Sequence, residues 1–293
     1  MMSAIKSNTK TDHELIARAQ LLASVEAGIT FWSREVFEKG AIQVIDLCKE
    51  GEYSKQPNES ISNMVESILK CNGEEVLTKI QKMGFELVLP NEKFDELPAP
   101  PIALIAKGDI QLLNKRSISI VGTRNPTPYG VKVASEMAAN FVDREWVVVS
   151  GGAYGIDAAA HKGALIAEGE TIAVLASGLD VLYPAGNARL FAEIAETGLL
   201  ISEYPPGMKA LPHRFLNRNR LIAALSHGTL VVEAAFRSGS LRTARDANEL
   251  KRVVMAIPGP INSPLSEGCH RLIGEGAAAI CCGVNDALEL MGE

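Results

Sequence analysis

The sequence predicts a doubly wound α/β fold, a parallel sheet covered by helices on both faces, with a small helical domain ahead of it. Short apolar runs carry the prediction: SISIV from 117, WVVVS from 146, TIAVLA from 171, LLIS from 199, TLVVEA from 229 and RVVMAI from 252. They are continuous rather than alternating, so both faces of each strand are buried, as in a parallel sheet. Helical stretches separate them, and that alternation winds helices onto two sides of one sheet. Several of the runs open into small, polar, glycine-bearing loops, and ligands of such sheets bind beyond the carboxyl ends of the strands.

The elements follow in chain order. A length of 293 residues with 47% hydrophobic content exceeds the usual single domain and can bury a large core. From Thr11 to about Gly84 the pattern is helical: Thr11 and Glu14 form a T-x-x-E capping box, Leu15, Leu22 and Val25 recur at helical spacing, and Asn72-Gly73 stops a later helix. The proline-rich LPAPPIAL from Leu97 can continue neither a helix nor a central strand. It therefore divides a helical domain over 1–96 from an α/β domain over 97–293. The N-terminal MMSAIKSNTKTDHE has no apolar signal-peptide core, and the apolar runs are too short to span a bilayer, so a soluble protein is expected. Five cysteines with no C-x-x-C spacing read as reduced thiols of a cytoplasmic protein and argue against zinc. The net charge of −6 opposes nonspecific coating of nucleic acid, yet a local basic groove remains open because exposed charges act within about 8 Å at physiological salt.

The strand-end loops are VGTRNPTPYG (121–130), SGGAYGIDAAAH (150–161), SGLDVLYPAGN (177–187) and FRSGSLRTA (236–244). Bare N–H groups at helix starts attract anions, and glycine lets phosphate oxygens approach the backbone, so these loops form a phosphate-accepting rim. Each motif also has a plain structural reading. SGGAYGID is neither GxGxxG nor a Walker A loop and can be only a tight turn. Arg124 of GTR projects at the ligand edge, where its planar fork suits a phosphate, or it makes a structural salt bridge. Arg218, Asn219 and Arg220 cannot all face solvent on one helical turn, so at least one points inward. Ser238-Gly239-Ser240 is a phosphate nest or a serine N-cap. Asp157 and His161, four apart, suggest acid-base work or a helix cap beside an orienting histidine. Phe215 and Tyr204 can stack on an unpaired base or belong to the core.

In order along the chain, SIVGTR, SGGAYGIDAAAH, TIAVLASGLDVLYP, ISEYPPG, FLNRNRLIAALSHGTLVVEA, SGSLRTA and IPGPINSPLSEGCHRLIGEGA resemble the DNA-processing protein A family, DprA or Smf, from about Leu97 to Met291. The resemblance implies an extended Rossmann-like domain that binds single-stranded DNA, protects it and loads a RecA-type recombinase onto it during natural transformation. It implies a carrier and not an enzyme, with no cofactor and no metal. Carried over by position, the pocket comprises Arg124, the backbone of Ser150, Gly151, Gly152 and Ala153, Phe215 as a stacking ring with Arg218, Asn219 and Arg220, and Ser238, Gly239 and Ser240. A homodimer surface falls on His270, Ile273 and Glu275. Departures from the family pattern are Leu216 where proline is frequent, Ala279 where a larger aliphatic residue occurs, and an end at Glu293 without the winged helix of many members. The N-terminal helices carry no clear helix-hairpin-helix signature. Because every carried-over contact lies beyond Leu97, a fragment starting there is expected to keep the binding behaviour. Two rivals stand: a Rossmann-like nucleotide-binding hydrolase using the same rim, and a protein-interaction scaffold. The hydrolase would saturate with one nucleotide, whereas a strand binder would prefer longer oligonucleotides.

Overall fold

The structure, a computed structural model, describes residues 9–53 and 59–293. Five helices come first: α1 (Thr9–Ser24), α2 (Thr30–Lys39), α3 (Ala41–Lys49), α4 (Glu59–Lys70) and α5 (Gly73–Lys82). Buried Leu21, Val25, Trp32, Val36, Val44 and Ile68 form their own core, around edge-on rings of Phe31, Trp32 and Tyr53 with centroids 5.1 to 5.7 Å apart. The Thr11–Glu14 pair is not a capping box. Helix α1 is already running at Thr9, and the Glu14 carboxylate accepts instead from the Ala41 N–H at the start of α3, at 3.1 Å. A carboxylate next to a helix N-terminus suits the dipole whichever helix supplies it. Asn72 likewise begins a helix as well as following one, since its side chain accepts from the N–H groups of Glu74 and Glu75 at the head of α5.

The sheet has nine strands in the order β1-β2-β6-β5-β4-β3-β7-β8-β9. These are β1 (Glu86–Val88), β2 (Leu104–Gly108), β3 (Ser117–Val121), β4 (Val147–Ser150), β5 (Thr171–Leu175), β6 (Leu199–Ser202), β7 (Gly228–Val231), β8 (Val253–Ala256) and β9 (Ala279–Ile280). From β6 to β9 every neighbouring pair is parallel. Strands β1 and β2 add an antiparallel edge. The intervening helices are α6 (Pro128–Val142), α7 (Ile156–Ile166), α8 (Ala188–Thr197), α9 (Pro212–Leu225), α10 (Ser240–Glu249), α11 (Glu267–Gly274) and α12 (Val284–Met291). One face of the sheet buries Leu221, Ile222, Leu241 and Leu272 from α9, α10 and α11. The other buries Met137, Phe141, Ile156 and Val284 from α6, α7 and α12. The doubly wound, mostly parallel expectation is met, and all the expected apolar runs are strands.

Two features lay outside that expectation. Strand β1 joins the sheet ahead of the proline-rich segment, and Ala19, Leu22 and Ile80 of the helical region share a core with Ile105, Leu175 and Leu200. The chain also crosses over at one place: it runs from β3 outward through β4, β5 and β6, then returns to the other side of β3 as β7. The loops after β3 and β7 diverge there and leave a crevice at the carboxyl ends. Among the described residues no helix is long and apolar enough to cross a membrane.

Candidate nucleic-acid interface

A cavity of about 570 Å³ opens at that crossover, walled by the loops after β3, β4, β5 and β7 and by α9. The loop after β3 is held by the buried Glu233 carboxylate, which accepts from the Thr127 N–H at 2.9 Å and the Thr127 hydroxyl at 2.6 Å. The Glu233 carbonyl accepts from the Thr123 N–H at 2.7 Å. Between these anchors Arg124 stands exposed, with no ion pair among the described residues and its guanidinium carbon 4.9 Å from the centre of the Phe215 ring. The Tyr183 ring lies 5.4 Å from Phe215, tilted by 59°. A cation resting on a ring is prepositioned but still free to donate its N–H groups, and the rings offer faces to a base.

The floor is Arg218, buried at full charge. Its Nη1 donates to the Val174 carbonyl at 2.7 Å, while its Nε has no partner among the described atoms. Burial, partly offset by the Asp157 charge, lowers this guanidinium to about 10, so it remains cationic at neutral pH. Asp157, the carboxylate lining the cavity, is itself pushed above the ordinary carboxyl range by desolvation, against the pull of Arg218 and of the Ala153 N–H at 3.3 Å. Gly151 lets the pair form, because a Cβ there would stand 1.7 Å from Arg218 Nη1. Gly152, at φ +66°, adopts the left-handed conformation that suits glycine, and its carbonyl accepts from Asn187 at 3.0 Å.

On the far wall the Ser238 and Ser240 hydroxyls lie 2.7 Å apart, and Asn219 Nδ2 donates to the Gly239 carbonyl at 3.2 Å. Gly239 occupies the N-cap of α10 and has no side chain to cap it, while the neighbouring Ser238 hydroxyl accepts from the Ser240 N–H of the first turn at 3.4 Å. The serine thus meets the helix start through one long bond, and the same polar turn faces the cavity. Arg124, Ala153, Phe215, Arg218, Asn219 and Ser238 to Ser240 meet around one space.

Other sequence candidates fall elsewhere. Arg220 turns away and pairs with buried Glu203 through two bonds of 2.7 Å. Ser150 is buried, its hydroxyl donating to the Ile120 carbonyl at 2.7 Å, and Gly151 and Gly152 underlie the wall rather than lining it. Tyr204 is buried beneath the Arg214 guanidinium, 4.8 Å from it, and cannot offer a face to a base. His161 is buried, 2.7 Å from the Thr171 hydroxyl, which donates to Val148. Desolvation first and the Arg218 charge second depress it to about 3, so it stays neutral and serves packing, not acid-base exchange with Asp157. His270 Nε2 bonds the Gly259 carbonyl at 2.9 Å, Ile273 is half-buried against the core, and Glu275 is exposed beside Arg271. Sequence reasoning had missed Tyr183, for which its loop offered no signal beyond position, and the Glu233 clamp, whose partners lie more than a hundred residues upstream.

Residues 89–292 match the profile of DNA recombination-mediator protein A. The DNA processing protein DprA of Streptococcus pneumoniae (strain R6) is 46% identical over 188 residues, 64% of this chain and 66% of that protein. The chain spans about half to two thirds of the length of the curated relatives it matches. Among solved structures, DNA processing protein A from Streptococcus pneumoniae superposes with a TM-score of 0.80 at 35% identity, covering 92% of this chain and 95% of that one. The Helicobacter pylori protein, described for its single-stranded DNA binding mode, gives 0.66 at 33% identity over 70% of this chain and 94% of that one. By profile, sequence and fold, the chain belongs to the DNA recombination-mediator protein A family, the DprA/Smf proteins.

Proposed function

We propose that this protein is a single-stranded DNA carrier that protects the strand and loads a RecA-type recombinase onto it in transformation or recombination, acting as a cytoplasmic homodimer without catalysing a reaction. The observation that carries the reading is Arg124: a cation in no ion pair among the described residues, resting on Phe215 at the mouth of a cavity floored by a second, buried cation. A phosphate fits between Arg124 and the Ser238–Ser240 turn, while Phe215 and Tyr183 accept bases on their faces. Such contacts are charge-assisted at the backbone and indifferent to base identity. The single-stranded DNA binding named for the Helicobacter pylori relative supports the same ligand class.

Titrating the full chain with an oligothymidine, its duplex counterpart and a thymidine mononucleotide across a salt series tests the reading. The single strand should bind tightest, with log affinity falling by roughly 0.7 per neutralised phosphate for each unit of log salt. A flat salt response or a preference for duplex would overturn the carrier. Saturation by the mononucleotide as tightly as by the oligomer would favour the hydrolase reading instead.

A further inference from the structure

Beside the cavity lies a second groove of about 400 Å³, between α10, α11 and the turn 236–239, and the two share Leu216, Ser238 and Gly239 as a common wall. Its chemistry repeats that of the first. Arg271 lies over the Phe236 ring at 4.5 Å, as Arg124 lies over Phe215 at 4.9 Å, and Phe236 is exposed. Four arginines line it: Arg237, Arg242, Arg245 and Arg271. Arg242 is paired with Asp246 at 2.7 Å and Arg271 with Glu275 at 2.5 Å. Arg237 and Arg245 are exposed and have no ion pair among the described residues. In a chain of net charge −6, unpaired cations gathered on one groove mark a polyanion path rather than chance. The shared wall is low, since a Cβ on Gly239 would meet nothing within 4 Å.

We propose that a single strand held in the cavity runs on over Gly239 into this groove, where Arg237 and Arg245 hold further phosphates and Phe236 accepts a further base. The inference rests on the carrier reading and extends it from a pocket to a track. Continuity with the first site and excess positive charge favour a nucleic-acid strand as the occupant. A second copy of the chain is the competing occupant, because Glu275, on the expected dimer surface, also lines the groove.

The test compares the full chain with the double variant Arg237→Ala/Arg245→Ala on oligothymidines of about 4 and about 16 nucleotides, the range of sites per single-strand binding module. The variant should bind the longer strand about tenfold or more weakly, as expected when charge-assisted contacts are lost. Its salt slope on that strand should be shallower by about 1.4, two phosphates at about 0.7 each. Binding of the short strand and the mass by light scattering should be unchanged. Arg124→Ala, in contrast, should weaken both lengths. Equal loss at both lengths, or loss at neither, overturns the track while leaving the carrier intact. A fall in mass without a length-dependent loss overturns it by assigning the groove to a second copy. Absence of single-strand binding by the parent chain overturns both proposals together.

Discussion

Breaking the contact between Glu26 and Arg214 should loosen the helical region from the helix that walls the cavity. Glu26 lies just beyond α1, and its carboxylate takes two bonds from Arg214 of α9, at 2.7 and 2.8 Å. Nearby, Asn217 Nδ2 donates to the Ala27 carbonyl at 3.1 Å. The Arg214 side chain is 6% exposed and that of Glu26 30%. Removing one partner of a fully buried pair costs about 3–5 kcal/mol, because a charge is left uncompensated in low dielectric. Here the cost is smaller. Glu26 is partly solvated, Arg214 keeps its 2.7 Å bond to the Lys209 carbonyl and its place on the Tyr204 ring, and a glutamine amide still accepts one bond. Glu26→Gln is therefore expected to cost about 2 kcal/mol. Urea melts of the full chain, combined with Arg214→Leu in a double-mutant cycle, measure the coupling. A coupling energy below about 0.5 kcal/mol would refute the argument, since residues that do not interact add within that margin. Because Phe215 and Asn219 lie on α9, the same variant should also weaken oligothymidine binding. A fragment starting at Leu97 would lack Glu26 and the edge strand Glu86–Val88, and would leave the buried Arg214 unpaired.

Four further outcomes are expected. Arg124→Ala should weaken oligothymidine binding by about 1–3 kcal/mol with unchanged thermal melting, since it removes an exposed charge-assisted donor and no internal ion pair; unchanged affinity would make Arg124 a structural residue. Gly151→Ala should displace Arg218 and break its bond to Val174, costing about 1.5–3 kcal/mol and lowering the melting temperature by about 2–4 °C per kcal/mol; an unshifted melt would contradict the close approach. His161 is depressed to about 3 from an ordinary 6.5, so the unfolded chain takes up its proton first: its contribution is complete above 6.5 and is lost as pH falls toward 3, at up to about 1.4 kcal/mol per unit. Melting temperature against pH should accordingly be flatter for His161→Gln than for the parent over that window, and superimposable slopes would contradict it. Ile273→Asp should break self-association by placing a charge in an apolar contact, read as a lower mass in light scattering with folding monitored by circular dichroism; equal masses would remove α11 from the interface.

The parallel sheet was legible because its determinants are local. Runs such as SISIV and TIAVLA are apolar at every position or carry small hydroxyl residues whose bonds are made inside the sheet, as Ser119 does with Thr229 at 2.7 Å. Their order and the glycines that follow them locate the ligand edge without any knowledge of packing. Strands β1, β2 and β9 were not legible. Two are only three and two residues long, and β2 follows directly on the prolines that read as a break.

By itself, then, the sequence determined the fold class, the family resemblance and the end of the sheet where the cavity opens. Which arginine is free was decided only by tertiary structure. Arg214, Arg218 and Arg220 share one helix. At 100° per residue Arg214 and Arg218, four apart, leave it on one face and Arg220 on another, yet even the two that share a face meet different partners. Their partners come from distant parts of the chain: Glu26 is 188 residues away, the Val174 carbonyl 44 and Glu203 17. No local pattern encodes such pairings, because an ion pair forms wherever the fold delivers a carboxylate or carbonyl to within bonding distance. Arg124 has the same chemistry, yet the fold brings it an aromatic ring and, among the described residues, no carboxylate at ion-pair distance, the Asp157 charge acting on it only across the cavity. That leaves its charge available to a ligand.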